Sequence, residues 1–107
     1  ADIVKFCDEM ELDLSSNLNK PFHKLSGGMK QKFLIALAFG RASKAMIFDE
    51  PTANLDPSAR EHFKTLLRKY AKDKSLIFIS HRLDEVEGLV KRMICMDLGR
   101  IVDDKNV

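Results

Sequence analysis

Residues 45–57 read AMIFDEPTANLDP, an apolar run that stops at two acids, a proline and then an Asp-Pro pair. Four consecutive apolar residues, Ala45 to Phe48, without polar alternation suit a strand buried on both faces, as in a parallel sheet. Asp56 can cap a helix and Pro57 fits its first turn. Downstream, Ala59, Phe63, Leu66, Leu67 and Tyr70 recur at helical spacing and mark the inner face of that helix. Ser75 to Ser80 (SLIFIS) is a second short apolar strand, and Leu83, Val86, Leu89 and Val90 mark a further helix. Met93 to Met96 is a third strand, which Asp97-Leu98-Gly99-Arg100 turns into a last one at Ile101-Val102. Strands alternating with helices predict an α/β fold: a parallel sheet with helices on its faces. Ligands of such sheets bind beyond the carboxyl ends of the strands. At that edge stand Asp49 and Glu50 on one strand, and Ser80 and His81 on another.

Upstream lies HKLSGGMKQKFLIALAFG, His23 to Gly40. Met29, Phe33, Leu37 and Gly40 continue one helical face from Gly28 to about Arg41. Ser26, Gly27 and Gly28 precede it directly. Two glycines at a helix start let a ligand approach the bare backbone. The first N–H groups and the helix dipole favour an anion there. Yet the sequence contains no GxxxxGK[ST] loop to cradle a nucleotide's phosphates. Further upstream, Ile3, Val4, Cys7 and Met10 predict a short amphipathic helix over residues 2–13, and residues 14–25, with Pro21, read as a loop.

The bulk properties exclude more than they select. With 107 residues, 45% of them apolar, the chain can form one core. The formal charge of +2 gives no electrostatic reason to expect nucleic acid or an acidic membrane surface. Cys7 and Cys95 lie far apart in apolar surroundings and read as reduced core thiols, which fits a cytosolic protein. Ala1-Asp2-Ile3 does not open a secretion signal. The longest apolar run, Phe33 to Phe39, is too short to span a bilayer.

The acids at the strand end have a definite chemistry. Asp49 can hold Mg²⁺, directly or through water, because that ion prefers oxygen ligands and keeps several waters. Glu50 can orient or deprotonate an attacking water. Adjacent strand residues point to opposite faces, so the two can share a task only if the strand has ended. His81 can hydrogen-bond a phosphate oxygen. His23 and His62 have no such context, and the basic residues Lys64, Arg68, Lys69 and Lys72 read as a solvated helix face.

Taken in order, these motifs resemble the ATP-binding-cassette (ABC) ATPases, and the resemblance covers nearly the whole chain. Leu25-Ser26-Gly27-Gly28 is similar to the family signature, and Ala45 to Glu50 to its Walker B strand. Ala53-Asn54-Leu55-Asp56 is similar to the D-loop, and His81 to the switch histidine. The resemblance implies a P-loop NTPase-like sheet, represented here by the C-terminal part of the domain. Residues 1–41 would end the helical subdomain and residues 42–107 would form the rear of the catalytic core. The family's Walker A loop, Q-loop glutamine and adenine-stacking aromatic segment have no match in this sequence. Position 29 is Met where many members carry Gln.

The resemblance further implies ATP and Mg²⁺ as cofactors. Asp49 would hold the Mg²⁺, Glu50 would be the general base, and His81 would contact the γ-phosphate. Ser26, Gly27, Gly28 and Met29 would meet an ATP bound by the opposite subunit of a head-to-tail dimer. Asn54, Leu55 and Asp56 would run along that dimer interface. The implied role is the ATPase subunit of a transporter, cytoplasmic and peripheral to the inner or plasma membrane through transmembrane subunits. The chain by itself would be inactive and prone to self-association through an uncovered sheet edge. A non-transport ATPase of the same family, in translation or DNA maintenance, would share these motifs. So would a non-catalytic dimerisation module, although that would have no use for Glu50 and His81. The compact spacing from Gly28 to His81 and the near-neutral charge favour the transporter.

Overall fold

The computed structural model describes all residues except 1, 14–18, 42, 83 and 85–87. Helix α1 spans Asp2–Glu9, and a short 3₁₀ turn covers Phe22–Lys24. Helix α2 spans Gly27–Gly40, strand β1 Ala45–Asp49, helix α3 Pro57–Tyr70 and strand β2 Ser75–Ile79. Strands β3, Arg92–Asp97, and β4, Arg100–Asn106, follow. β1 and β2 pair in parallel from Ala45↔Ser75 to Asp49↔Ile79, with α3 as their crossover. β3 pairs with β4 as a separate antiparallel hairpin, with an irregularity between Cys95 and Met96. The third strand is therefore not in the parallel sheet among the described residues. Leu98 and Gly99 both take positive φ, 48° and 77°, the two-residue turn that brings a strand straight back beside its predecessor.

The core lies where α1, α2 and α3 meet the inner face of β1. Phe6, Cys7 and Met10 come from α1, Ile35, Ala36 and Phe39 from α2, Met46 and Phe48 from β1, and Phe63, Leu66 and Leu67 from α3. Phe48 is the hub: its ring stacks on Phe78 at 5.5 Å, meets Phe63 edge-on at 5.2 Å and touches Phe39 at 6.0 Å. Burial of the Cys7 thiol, with Asp8 beside it, raises its pKa and keeps it in the unreactive form.

Three local expectations change. Helix α1 ends at Glu9, short of residue 13. Glu11 turns left-handed at φ 56°, while Leu12 N–H donates to Cys7 O and Glu11 N–H to Asp8 O. That is a Schellman stop with glutamate where glycine is usual, so the sequence carries no glycine to announce it. On α1 the buried face includes Phe6, while Val4 is half exposed. On α2 the buried residues are Ile35, Ala36 and Phe39, and Met29, Phe33, Leu37 and Gly40 are only half-buried. Of the helix expected at Leu83, Val86, Leu89 and Val90, the first two positions lie outside the described residues, and Leu89 sits in a turn.

Gly40 marks the crossing of α1 and α2. A Cβ there would lie 2.7 Å from Ile3 Cγ1 and 3.2 Å from the Ile3 backbone. Alanine would gain about 0.5–1 kcal/mol of helix propensity, but forcing the helices apart costs about 1–3 kcal/mol. Gly40→Ala should therefore lower stability by about 1 kcal/mol, a drop in Tm of roughly 4–8 °C for a chain this size, readable by thermal circular dichroism.

Candidate functional site

Two strand ends and one helix start converge on the loop between β1 and α3. β1 ends at Asp49, whose residue is exposed. Glu50 then takes φ 49°, a left-handed conformation costly for a residue with a Cβ. Its N–H donates to Ile79 O at 2.8 Å, so the chain stays tied to β2 for one residue beyond the strand. The strand having ended, Glu50 is freed from the alternation that would oppose it to Asp49. Its Oε1 lies 2.8 Å from Nδ1 of His81, just past the end of β2. With Nδ1 protonated, the imidazole donates to the carboxylate, which leaves Oε2 to accept a proton. A strained residue held by two such contacts is a feature of functional sites. Ser80 Oγ meanwhile accepts from Arg82 N–H at 3.1 Å and shapes the turn at His81.

The other part of the site is the start of α2. Ser26 caps the helix, with its Oγ accepting from Met29 N–H at 3.0 Å. The Met29 N–H is thereby used, and its side chain packs against the core. The N–H groups of Gly27 and Gly28 meet no acceptor among the described residues, as the first donors of a helix do. The glycines also have a packing reason. A Cβ on Gly28 would come within 3.1 Å of Asn54 O, and one on Gly27 within 3.5 Å of the Asn54 side chain. The helix start thus lies directly against the loop after β1.

That loop is well tied. Pro51 and Thr52 are buried, Ala53 N–H donates to Glu50 O, and Leu55 N–H donates to Thr52 O. Asp56 caps α3, accepting from Ala59 N–H at 2.7 Å. Leu55 packs into the core, whereas Asn54 and Asp56 are exposed. Gln31, which no sequence motif singles out, donates from Nε2 to Pro51 O at 2.7 Å. The signal was available: Gln31 stands four residues after Gly27 and three after Gly28, on the same helix face.

Among the described residues, no three His, Cys, Asp or Glu side chains gather to hold a metal. Asp49 offers a single exposed carboxylate at the strand end. Such a donor fits a hydrated Mg²⁺ shared with phosphate oxygens, not an ion caged by protein alone. Within the described residues no helix is long and apolar enough to cross a membrane.

Comparison with known proteins places this arrangement in context. The family model "AAA domain, putative AbiEii toxin, Type IV TA system" matches residues 10–86. A Bacillus anthracis protein, "Putative ABC transporter ATP-binding protein", is 39% identical over 106 residues, which are 97% of this chain and 18% of that protein. Human "ATP-binding cassette sub-family A member 13" is 36% identical over 91 residues, 85% of this chain and 2% of that protein. The solved structure of MJ1267, described as an ATP-binding cassette of an ABC transporter, superposes with a TM-score of 0.71 at 26% identity, over 98% of this chain and 41% of that one. The chain therefore spans less than a fifth of these two curated relatives, and under half of that solved cassette.

Proposed function

Because the chain belongs to the ATP-binding-cassette ATPases, through the AAA-domain family whose model it matches, we propose that it is the signature-bearing part of a nucleotide-binding domain that hydrolyses ATP to power transmembrane transport. The observation that carries this reading is the 2.8 Å approach of His81 to Glu50 at the end of the parallel strands.

In this reading Glu50 Oε2 takes the proton of the water that attacks the terminal phosphorus, while the bond from that phosphorus to the bridging oxygen breaks and its electron pair leaves with ADP. His81 holds Glu50 in place by donating from Nδ1, and donation from its exposed Nε2 to the γ-phosphate would require the doubly protonated imidazolium. Asp49 would hold a hydrated Mg²⁺, which when bound would supply positive charge against the phosphates. The free N–H groups of Gly27 and Gly28, with Ser26, grip the γ-phosphate of a nucleotide bound by the opposite domain of a head-to-tail dimer. Asn54 and Asp56 face that partner, and Leu55 anchors the loop between them. Met29, its side chain packed against the core, would border the same nucleotide at this end of the helix. Transmembrane subunits hold the assembly at the cytoplasmic face of a membrane.

The test is to mix the chain with a cassette half that carries a GxxxxGK[ST] loop and follow phosphate release. Hydrolysis that requires both components supports the proposal. Equal hydrolysis by the chain alone, or none on mixing, contradicts it.

A related expectation follows from the outer face of the β1–β2 pair. Ile47, Ile77 and Ile79 line it, each more than half exposed. An uncovered apolar face beside a free sheet edge favours association. Light scattering of the isolated chain should give a mass that rises above one chain with concentration. A constant monomer mass at high concentration would count against it.

A further inference from the structure

We infer that Gln31 is a positioning residue, which locks the anion-binding start of α2 to the loop that carries Glu50. Three contacts join one helix face to one loop. Gln31 Nε2 donates to Pro51 O at 2.7 Å across twenty residues of sequence. Gly28 and Gly27 lie against the backbone and side chain of Asn54. Because Pro51 O can only accept, the amide of Gln31 must present its nitrogen, and the side chain is held in one orientation.

The acceptor is the carbonyl one residue beyond Glu50. Glu50 is itself fixed at φ 49° between Ile79 O and His81. A shift of α2 against the loop is therefore delivered to a residue that has little freedom to absorb it. The glycines determine how closely the helix can approach, and Gln31 determines where along the loop it sits. The ends that would grip one nucleotide and activate water for another then move as one body. This rests on the reading of Glu50 and His81 as the hydrolytic pair, and it deepens that reading.

Three measurements test it. In the wild-type ¹⁵N-labelled chain, the Gln31 side-chain amide protons should exchange more slowly than those of a solvated glutamine. Exchange at the free rate would overturn the contact without need of any variant. Gln31→Met keeps the volume and removes the donor, whereas Gln31→Lys keeps an N–H donor. In the mixed assembly, normalised to folded protein, Gln31→Met should lower kcat about tenfold and leave the KM for ATP within about twofold. Gln31→Lys should recover most of that loss. A structural filler would show the reverse order, with Met tolerated and Lys not, and that result would overturn the assignment. So would unchanged amide shifts at Thr52, Ala53 and Asn54 in Gln31→Met. If the wild-type assembly does not hydrolyse ATP, the functional reading fails, while the exchange and shift data still decide whether Gln31 holds the loop.

Discussion

Glu50→Gln should abolish ATP hydrolysis by the mixed assembly, lowering kcat by about 10²–10⁴-fold with nucleotide affinity within about twofold. The size of the effect follows from the geometry. Gln keeps the length of the side chain and can still face His81 Nδ1, but its amide cannot accept the proton of the attacking water. Glu50 Oε1 is taken up by His81 at 2.8 Å, so the second oxygen is the one available for that proton. The backbone of residue 50 should be unaffected, because its N–H bond to Ile79 O does not involve the side chain. Single-turnover phosphate release, with nucleotide binding measured in parallel, checks both parts. A loss below about tenfold would assign the proton to another group.

Phe63→Ala should unfold the chain or nearly so. Phe63 is 2% exposed and sits at the centre of the α3 inner face, with Phe48 at 5.2 Å and Phe78 at 6.3 Å. Truncating such a ring costs about 3–5 kcal/mol in lost burial and residual cavity. Small domains hold about 5–15 kcal/mol in all. Among the described residues the parallel sheet is two strands wide and exposes its outer face, which places this chain toward the low end of that range. Urea titration followed by circular dichroism should give a midpoint at or near zero denaturant for the variant. A wild-type midpoint would show that the aromatic cluster around Phe48 is not what holds β1 to α3.

Helix α3 was legible because every level agreed. Asp56 and Pro57 marked its start, and Ala59, Phe63, Leu66 and Leu67 came at helical spacing; all four are buried. Strand β1 was legible as an element, since an apolar run closed by two acids leaves few other readings, but it is buried on one face only: Met46 and Phe48 point inward while Ile47 is 66% exposed. On α2 the same physics gave an ambiguous signal. From Phe33 to Phe39 every residue is apolar, so periodicity could not choose between the face with Leu37 and the face with Phe39. The stop at Glu11 was hidden because it adopts left-handed backbone without glycine; at Glu50 the two acids and Pro51 announced the end of the strand, but no glycine announced its left-handed turn. The antiparallel pairing of β3 and β4 could be read from Leu98-Gly99. That β3 would leave the parallel sheet could not, since alternation of strands and helices does not fix which strands pair.

At the site, the sequence placed Asp49, Glu50 and His81 at the right sheet edge, and the structure brings Glu50 and His81 into contact. It read Gly27 and Gly28 as openings for a ligand; the structure adds that Asn54 occupies one side of that opening. Leu55 turned inward because a leucine flanked by polar residues in a tight loop finds the core nearer than the solvent.

In the proposed function the Ser26–Gly28 helix start is half of a nucleotide site. The most direct measurement is calorimetric titration of MgATP into the chain alone, and then into the chain mixed with a cassette half bearing a GxxxxGK[ST] loop. The chain alone should give no binding heat, and the mixture should show saturable binding tighter than that of the added half by itself. Saturable binding by the chain alone at low micromolar concentration would contradict it, since the phosphates would then be held entirely by residues of this chain.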